Sequence, residues 1–304
     1  MATTGVGESP PRISIIGAGR AGSALAAAAH ASGWAVAAVH SRSLASAQRL
    51  AALVGASVVR SPAAAARAGV LTLITVPDPA IASVAAQVAA GGGSRRGSAV
   101  VHCSASLGPL PLASVRQTGA QTGVLHPLQA LTGADSAPLL RDAYFRVESD
   151  TRLLPLLLRF VSDLGGHALT IAPEARALYH AAAVLAGNAP LALLSRAARI
   201  LEDAGVDAAT ANAALTRLLE GAASNARGEG PRRALSGPIA RGDAATVRTH
   251  LEALAVDPDA FEIYLVMARE TLALVGTEGR EAVAAALDRS ALLSRKQVTP
   301  ARVA

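Results

Sequence analysis

The sequence predicts an α/β chain: a doubly wound parallel sheet followed by a second, all-helical domain. Three observations predict it. A short β-branched run, Ile13-Ser14-Ile15-Ile16, stops at a Gly-x-Gly-x-x-Gly turn made by Gly17, Gly19 and Gly22. Apolar strands then alternate with alanine-rich helical stretches as far as Ile171. From Pro173 onward strand signals stop and helical runs follow one another. Repeated strand–helix units imply a parallel sheet with helices on both faces.

The glycine turn is followed by Ser23 to Ala29, an alanine-rich helix former. Strand, tight turn and helix in that order are the context that gives the motif meaning. Gly17 allows the turn, Gly19 lets backbone approach a pyrophosphate, and Gly22 lets helix and strand pack closely. The phosphates would sit on free N–H groups at the helix start, beside Arg20 and Ala21. This is the dinucleotide site of a Rossmann-type domain. The alternative is a glycine-rich turn that holds no ligand.

The second strand, Ala35 to His40, ends at Ser41-Arg42-Ser43, about 20 residues beyond the glycines, where the ribose is recognised. An NAD site places a carboxylate there. This chain has none nearby and offers Ser41, Arg42 and Ser43 instead. Arg42 can pair bidentately with a 2′-phosphate. NADP(H) is therefore the expected cofactor, and no metal is expected.

Alternation continues in order. Ser57 to Val59 is a short strand and Ala63 to Ala68 a helix. Val70 to Val76 is a buried strand, ending at Pro77-Asp78-Pro79. Ile81 to Ala90 is a helix, and Ala99 to Cys103 a strand ending at Ser104-Ala105-Ser106. Val124 to Gln129 starts as strand. Tyr144 to Glu148 and His167 to Ile171 are late strands around a helix from Arg152 to Leu164. Ligands in such sheets bind beyond the carboxyl ends of the strands. Val76, Pro77, Asp78 and Ser104 are assigned to the cofactor on that rule. Ser106, His126 and Gln129 collect at the same edge.

The helical half opens with Pro173 at a first-turn position and Glu174 beside it. That run is expected to reach Leu201. Further helices are expected at Asp207 to Ala226, Ala244 to Leu254 with Asp243 as N-cap, Ala260 to Val275, and Gly279 to Leu292. Four polar groups interrupt the first helix: Arg176, Tyr179, His180 and Asn188. Arg176 and His180 are i and i+4, and Asn188 lies about 80° further round at 100° per residue. Their desolvation cost is not one that packing favours. Pro190 should kink the helix. Arg241, in Arg241-Gly242-Asp243, could form an anion-binding edge. The expected organisation is a disordered tail at 1–11, an NADP-binding Rossmann domain at 12–172, a helical substrate and dimerisation domain at 173–293, and a tail at 294–304.

Bulk composition sets limits. Aromatic residues are 2% of the 304, so the core is built from Ala, Leu and Val. The net charge of +6 comes from scattered arginines, and few aromatics exist to stack on bases, so no nucleic acid is expected. No apolar run approaches the ~20 residues of a membrane span, and residues 1–10 lack the pattern of a signal peptide. The single cysteine, Cys103, suits a reducing cytoplasm. The one lysine, Lys296, lies in the tail.

Together, the glycine turn, His126-Pro127-Leu128-Gln129, Leu178-Tyr179-His180-Ala181-Ala182-Ala183 with Asn188, and Ser236 to Asp243 resemble the predicted short-subunit dehydrogenase-like oxidoreductases. The resemblance spans about Arg12 to Leu274. More distantly, the layout is similar to the 6-phosphogluconate dehydrogenase-like superfamily, which includes ketopantoate reductase and pyrroline-5-carboxylate reductase. That resemblance implies a nicotinamide-dependent enzyme, dimeric through the helical domain. Many hydroxyacid-forming members carry a Lys and an Asn one turn apart; Arg176 and His180 stand there in this chain. Arginine is a poor proton donor, which leaves His180 or Tyr179 for that role. The implied activity is a cytoplasmic NADP(H)-dependent reduction of a small carbonyl compound, a 2-oxo acid as in ketopantoate reductase. Arg176 and Arg241 would hold the carboxylate or polarise the carbonyl, His180 would give the proton, and Asn188 would orient the substrate. The alternatives are a non-catalytic NADP(H) sensor and an imine reductase of the pyrroline-5-carboxylate kind.

Overall fold

The structure, a computed structural model, describes residues 11–288. The expected tail at 294–304 and nearly all of that at 1–11 lie outside the described residues. The chain divides into two units, Met1–Ala189 and Pro190–Ala304.

The first unit carries an eight-stranded sheet in the order β3-β2-β1-β4-β5-β6-β7-β8. Its elements are β1 (Ile13–Ile16), α1 (Arg20–Ala31), β2 (Val36–His40), α2 (Leu44–Val54), β3 (Ser57–Val58), α3 (Pro62–Ala68), β4 (Leu71–Ile74), α4 (Asp78–Ala90), β5 (Ala99–His102), α5 (Ala113–Gln117), β6 (Gln121–Pro127), β7 (Tyr144–Ser149), α6 (Leu154–Asp163) and β8 (His167–Leu169). The α/β fold with a helical C-terminal region is the one the sequence predicts. β1 has β2 on one side and β4 on the other, which makes the crevice between them the switch point where such sheets bind ligands. One pairing departs from the parallel pattern. β7 runs antiparallel to β6, with His126 opposite Arg146. β8 is again parallel to β7.

Alternation in the strands sends side chains to two cores. Ile13, Ile15, Leu71 and Leu73 join Leu25, Trp34, Phe145 and Phe160 on one face. Ile16 and Ile74 join Ile81, Val88 and Leu112 on the other. Trp34 packs edge-on against Phe160, with ring centroids 4.9 Å apart, and its indole N–H donates to Asp163 Oδ2 at 3.0 Å. Burying an apolar side chain of this size stabilises by about 1.5–3 kcal/mol.

The helices that follow are α7 (Arg176–Gly187), α8 (Ala189–Asp203), α9 (Ala208–Glu229), α10 (Pro231–Ala234), α11 (Pro238–Arg241), α12 (Ala244–Leu254) and α13 (Pro258–Val275). Residues 281–288 are helical as well. The run expected from Pro173 to Leu201 differs in detail. It opens as a 3-10 turn at Pro173–Ala175 and breaks at Asn188, two residues before the proline expected to kink it. Asp207, Asp243 and Asp257 cap α9, α12 and α13 by accepting from the backbone N–H three residues on. The core of the second unit is Ile239, Val247, Leu251, Leu265, Leu272, Val283 and Leu287.

Pro173–Asp203 is an exception to the expectation that no run could cross a bilayer. It is 31 residues long, has a mean hydropathy of 1.4 over its most apolar stretch, and is almost entirely unburied. Alanine keeps the average high between the polar residues Arg176, His180, Asn188 and Arg196.

Candidate active site

The site begins at the end of β1. Gly17 has φ +112°, and a Cβ there would lie 2.8 Å from the Thr75 carbonyl oxygen. A Cβ on Gly22 would meet the Gly17 carbonyl oxygen at 2.0 Å and Thr75 Oγ1 at 2.5 Å. Both glycines are therefore required by packing. Thr75 secures the turn: its hydroxyl donates to the Gly17 carbonyl at 2.6 Å. Gly19 is different. It is exposed, and a Cβ on it would have nothing within 4 Å. It is also the N-cap of α1, and no side chain caps that helix. Open space in front of an uncapped helix start suits a diphosphate. Arg20 is exposed at the first position of α1, followed by half-buried Ala21.

Past β2, Arg42 is exposed and Ser41 half-buried. Ser43 already has a role as the N-cap of α2, accepting from Ser46 N at 3.2 Å and Ser46 Oγ at 3.0 Å.

Next along the same edge come the ends of β4 and β5. Half-buried Val76 and exposed Pro77 lead into α4, which opens with Asp78. Asp78 Oδ2 accepts from Ser104 Oγ at 2.7 Å and from Ser106 Oγ at 3.1 Å. Ser104 Oγ accepts in turn from the backbone N–H of Ser106 and of Leu107. His102 closes the loop. Its Nδ1 accepts from Ser104 N at 3.2 Å, which leaves Nε2–H to donate to the Gly108 carbonyl at 2.9 Å. Burial pushes its pKa down.

The third part sits on β6, β7 and α7. Tyr179 on α7 places its hydroxyl 2.8 Å from His126 Nδ1, with the rings edge to face at 5.7 Å. Burial, then Arg146, then His180 push the His126 pKa down to about 4. Burial raises that of Tyr179, against a lowering by Arg146. Near neutral pH the pair is a neutral imidazole and a protonated phenol.

Arg146 is fully buried. Its Nη2 donates to the Leu107 carbonyl at 2.6 Å and the Ser104 carbonyl at 3.3 Å, and its guanidinium lies over the Tyr179 ring. Glu148, two residues on, lies on the same face of β7. It receives Arg176 in a bidentate pair, Nε to Oε2 at 3.0 Å and Nη2 to Oε1. The Arg176 guanidinium rests on Gly108, where a Cβ would come within 2.8 Å of Cζ. A pocket of about 530 Å³ lies beside it, lined by Ala82, Ser106 to Pro111 and Arg176.

Polar contacts thus form two groups along the carboxyl edge of the sheet: Gly17 with Thr75 at the switch point, and Asp78 with Ser104, whose carbonyl meets the Arg146 guanidinium beside Tyr179. Arg176, assigned from the sequence to hold a substrate carboxylate, is engaged by Glu148 instead. Of the two candidate proton donors, Tyr179 faces β6, whereas the His180 side chain is exposed. Asn188 lies eight residues beyond His180, about 12 Å along the axis, at the break before α8. Arg241 belongs to the second unit, exposed at the end of α11. Gln129 folds back on its own loop, donating to the Leu139 carbonyl. Sequence reasoning missed Thr75, His102, Arg146 and Glu148. The last two had a signal: in Tyr144-Phe145-Arg146-Val147-Glu148 two charges alternate with apolar residues, which places both on one face of a strand.

Two family models match the sequence. Residues 2–127 match a Rossmann-like domain, and residues 143–271 match a domain of unknown function, DUF2520. No curated protein matches it. Among solved structures, the chain is similar to a Bacteroides fragilis protein assigned as an NADP oxidoreductase, with TM-score 0.70 and 24% identity over 86% of this chain and 98% of that one. It is similar to an imine reductase from Pseudomonas sp., with TM-score 0.60 and 20% identity over 92% and 99%. It is also similar to the Plasmodium falciparum pyrroline carboxylate reductase with NADP bound, with TM-score 0.56 and 12% identity over 95% and 100%. At these identities the likeness establishes the fold.

Proposed function

We propose that the chain is an NADP(H)-dependent reductase of a polar double bond, C=N or C=O, in a small molecule. The observation that carries the reading is Tyr179. Its phenol is protonated, fixed at 2.8 Å from a neutral imidazole and beside the Arg146 guanidinium, and the glycine turn open at Gly19 ends a strand of the same sheet. That turn fits a diphosphate, with the N-terminus of α1 to receive it and Arg42 to meet a 2′-phosphate. Bound there, the nicotinamide cofactor supplies hydride. Tyr179 supplies the proton. His126 holds the phenol in place, and Asp78 fixes the Ser104 loop that braces Arg146.

The engaged state of Arg176 favours a substrate that needs no carboxylate grip from that residue. A C=N compound is therefore preferred over a 2-oxo acid of the ketopantoate kind. The imine reductase and the NADP-bound reductase among the similar structures support the same cofactor and bond class. NADPH oxidation with a panel of cyclic imines and 2-oxo acids tests the reading. Turnover of imines is expected, and Tyr179→Phe should lower kcat by about 10²–10⁴-fold with NADPH affinity unchanged. Faster turnover of 2-oxo acids would overturn the substrate preference. Tight NADPH binding with no turnover on any compound would overturn the enzyme reading in favour of a sensor.

A homodimer through the helical region is part of the proposal. Leu178 and Leu185 on α7, Leu191 on α8 and Leu218 on α9 are exposed. Light scattering giving a monomer at micromolar concentration would exclude it.

A further inference from the structure

Two histidine–tyrosine pairs of the same geometry occur among the described residues. His126 and Tyr179 are 2.8 Å apart, with rings at 5.7 Å and 86°. In the second unit, His250 Nδ1 and the Tyr264 hydroxyl are 2.9 Å apart, with rings at 5.7 Å and 88°. Both tyrosines are half-buried, and burial raises both phenols. A cation sets the first pair apart. The Arg146 guanidinium lies over the Tyr179 ring, Cζ 5.8 Å from its centroid. For Tyr264, burial is the whole of the shift.

Arg146 is an expensive residue to place there. It is 0% exposed, and its Nε and Nη1 make no hydrogen bond. Its nearest carboxylate oxygen, Glu148 Oε2, is 3.7 Å from Nη1, and Glu148 is already shared with Arg176. Two guanidiniums and one carboxylate leave a net positive charge. A buried cation with idle donors disfavours folding, and an aliphatic side chain would fill the same volume without that penalty.

We propose that Arg146 is a positioning residue for the acid: fixed over the Tyr179 ring, it stabilises the phenolate left when Tyr179 has given up its proton. This rests on the reading of Tyr179 as the donor. In that step the Tyr179 O–H bond breaks and the proton bonds to the nitrogen or oxygen of the substrate. The substrate carbon takes the hydride electron pair, and solvent later returns a proton to the phenolate. Among the charged groups around Tyr179, Arg146 is the one that lies over its ring. From β6 comes His126, held neutral by burial. From β7 come Arg146 and Glu148, the latter committed to Arg176. Its own helix adds Arg176 and His180, and Asp78 on α4 acts on His126. A guanidinium 5.8 Å from the ring, with its charge shared by Glu148, works against the rise that burial imposes on the phenol.

The test uses the whole chain without cofactor or substrate. A fluorinated tyrosine, which titrates below the ordinary ones, is placed at position 179 or at position 264, and phenolate absorbance is followed against pH. The expected result is a pKa at 179 lower than at 264. Arg146→Gln should raise the value at 179 and leave 264 where it was. Arg146→Lys, which keeps the charge, should stay near the unsubstituted value. Equal pKa values at the two positions overturn the proposal, as does a Lys variant that behaves like Gln. The comparison of 179 with 264 leaves Arg146 intact, so it decides even where Arg146→Gln does not fold. Full activity in Tyr179→Phe would remove the donor reading alone; the titration stands apart from it.

Discussion

Gly19 and Gly22 separate binding from packing. Gly22→Ala sets a methyl 2.0 Å from the Gly17 carbonyl oxygen and 2.5 Å from Thr75 Oγ1. Neither can yield easily: Gly17 O already accepts the Thr75 hydroxyl, and Gly17 sits at positive φ. The start of α1 must move away from β1. Overpacking of this kind costs about 1–3 kcal/mol, and a lost hydrogen bond adds about 1. Replacing a helical glycine by alanine returns nearly 1. The net is a loss of about 1–3 kcal/mol, or a fall in Tm of about 3–10 °C. Gly19→Ala meets nothing within 4 Å, and its backbone, φ −85° and ψ −165°, suits any residue. Its Tm should stay within about 2 °C of the original. Its methyl nevertheless occupies the space where a diphosphate must lie. Calorimetric titration should give NADPH affinity at least tenfold weaker, about 1.4 kcal/mol. Unchanged affinity in Gly19→Ala would refute the placement of the diphosphate against that backbone. Unchanged Tm in Gly22→Ala would refute the packing argument.

Other expectations are as direct. Arg42→Ala should weaken NADPH by about tenfold or more, through loss of a charge-assisted pair, and leave NADH nearly unchanged; equal losses for both would remove Arg42 from 2′-phosphate recognition. His126 has a folded pKa depressed to about 4 from 6.5. The unfolded chain therefore binds its proton first, and stability present above pH 6.5 is lost as pH falls toward 4. The loss is about 3 kcal/mol from this group. Denaturant titrations across that range should show a smaller loss in His126→Phe than in the original chain, and equal slopes would contradict the burial argument.

What the sequence made legible was local. The glycine turn, the alternation that follows it, the Asp243 cap and the bounds of α12 all depend on residues within a few positions of one another. The direction of β7 does not, because a strand reads the same whichever way its neighbour runs. Arg146 binds carbonyls about 40 residues earlier, and Arg176 finds its carboxylate 28 residues back. No spacing rule reaches that far. The choice between Tyr179 and His180 was also closed to periodicity. Adjacent helical residues point about 100° apart, and only the position of β6 decides which one faces inward.

Trp34 is the sole tryptophan of the chain, sealed between β2 and α6 by Phe160 and Asp163. Its emission is therefore a private signal of the nucleotide-fold half: blue while that half is intact, red-shifted once water reaches the indole. The helical half has no tryptophan and melts silently in tryptophan emission, though not in circular dichroism. A heating curve recorded in both colours would time the two halves separately, from an unlabelled and unmutated chain.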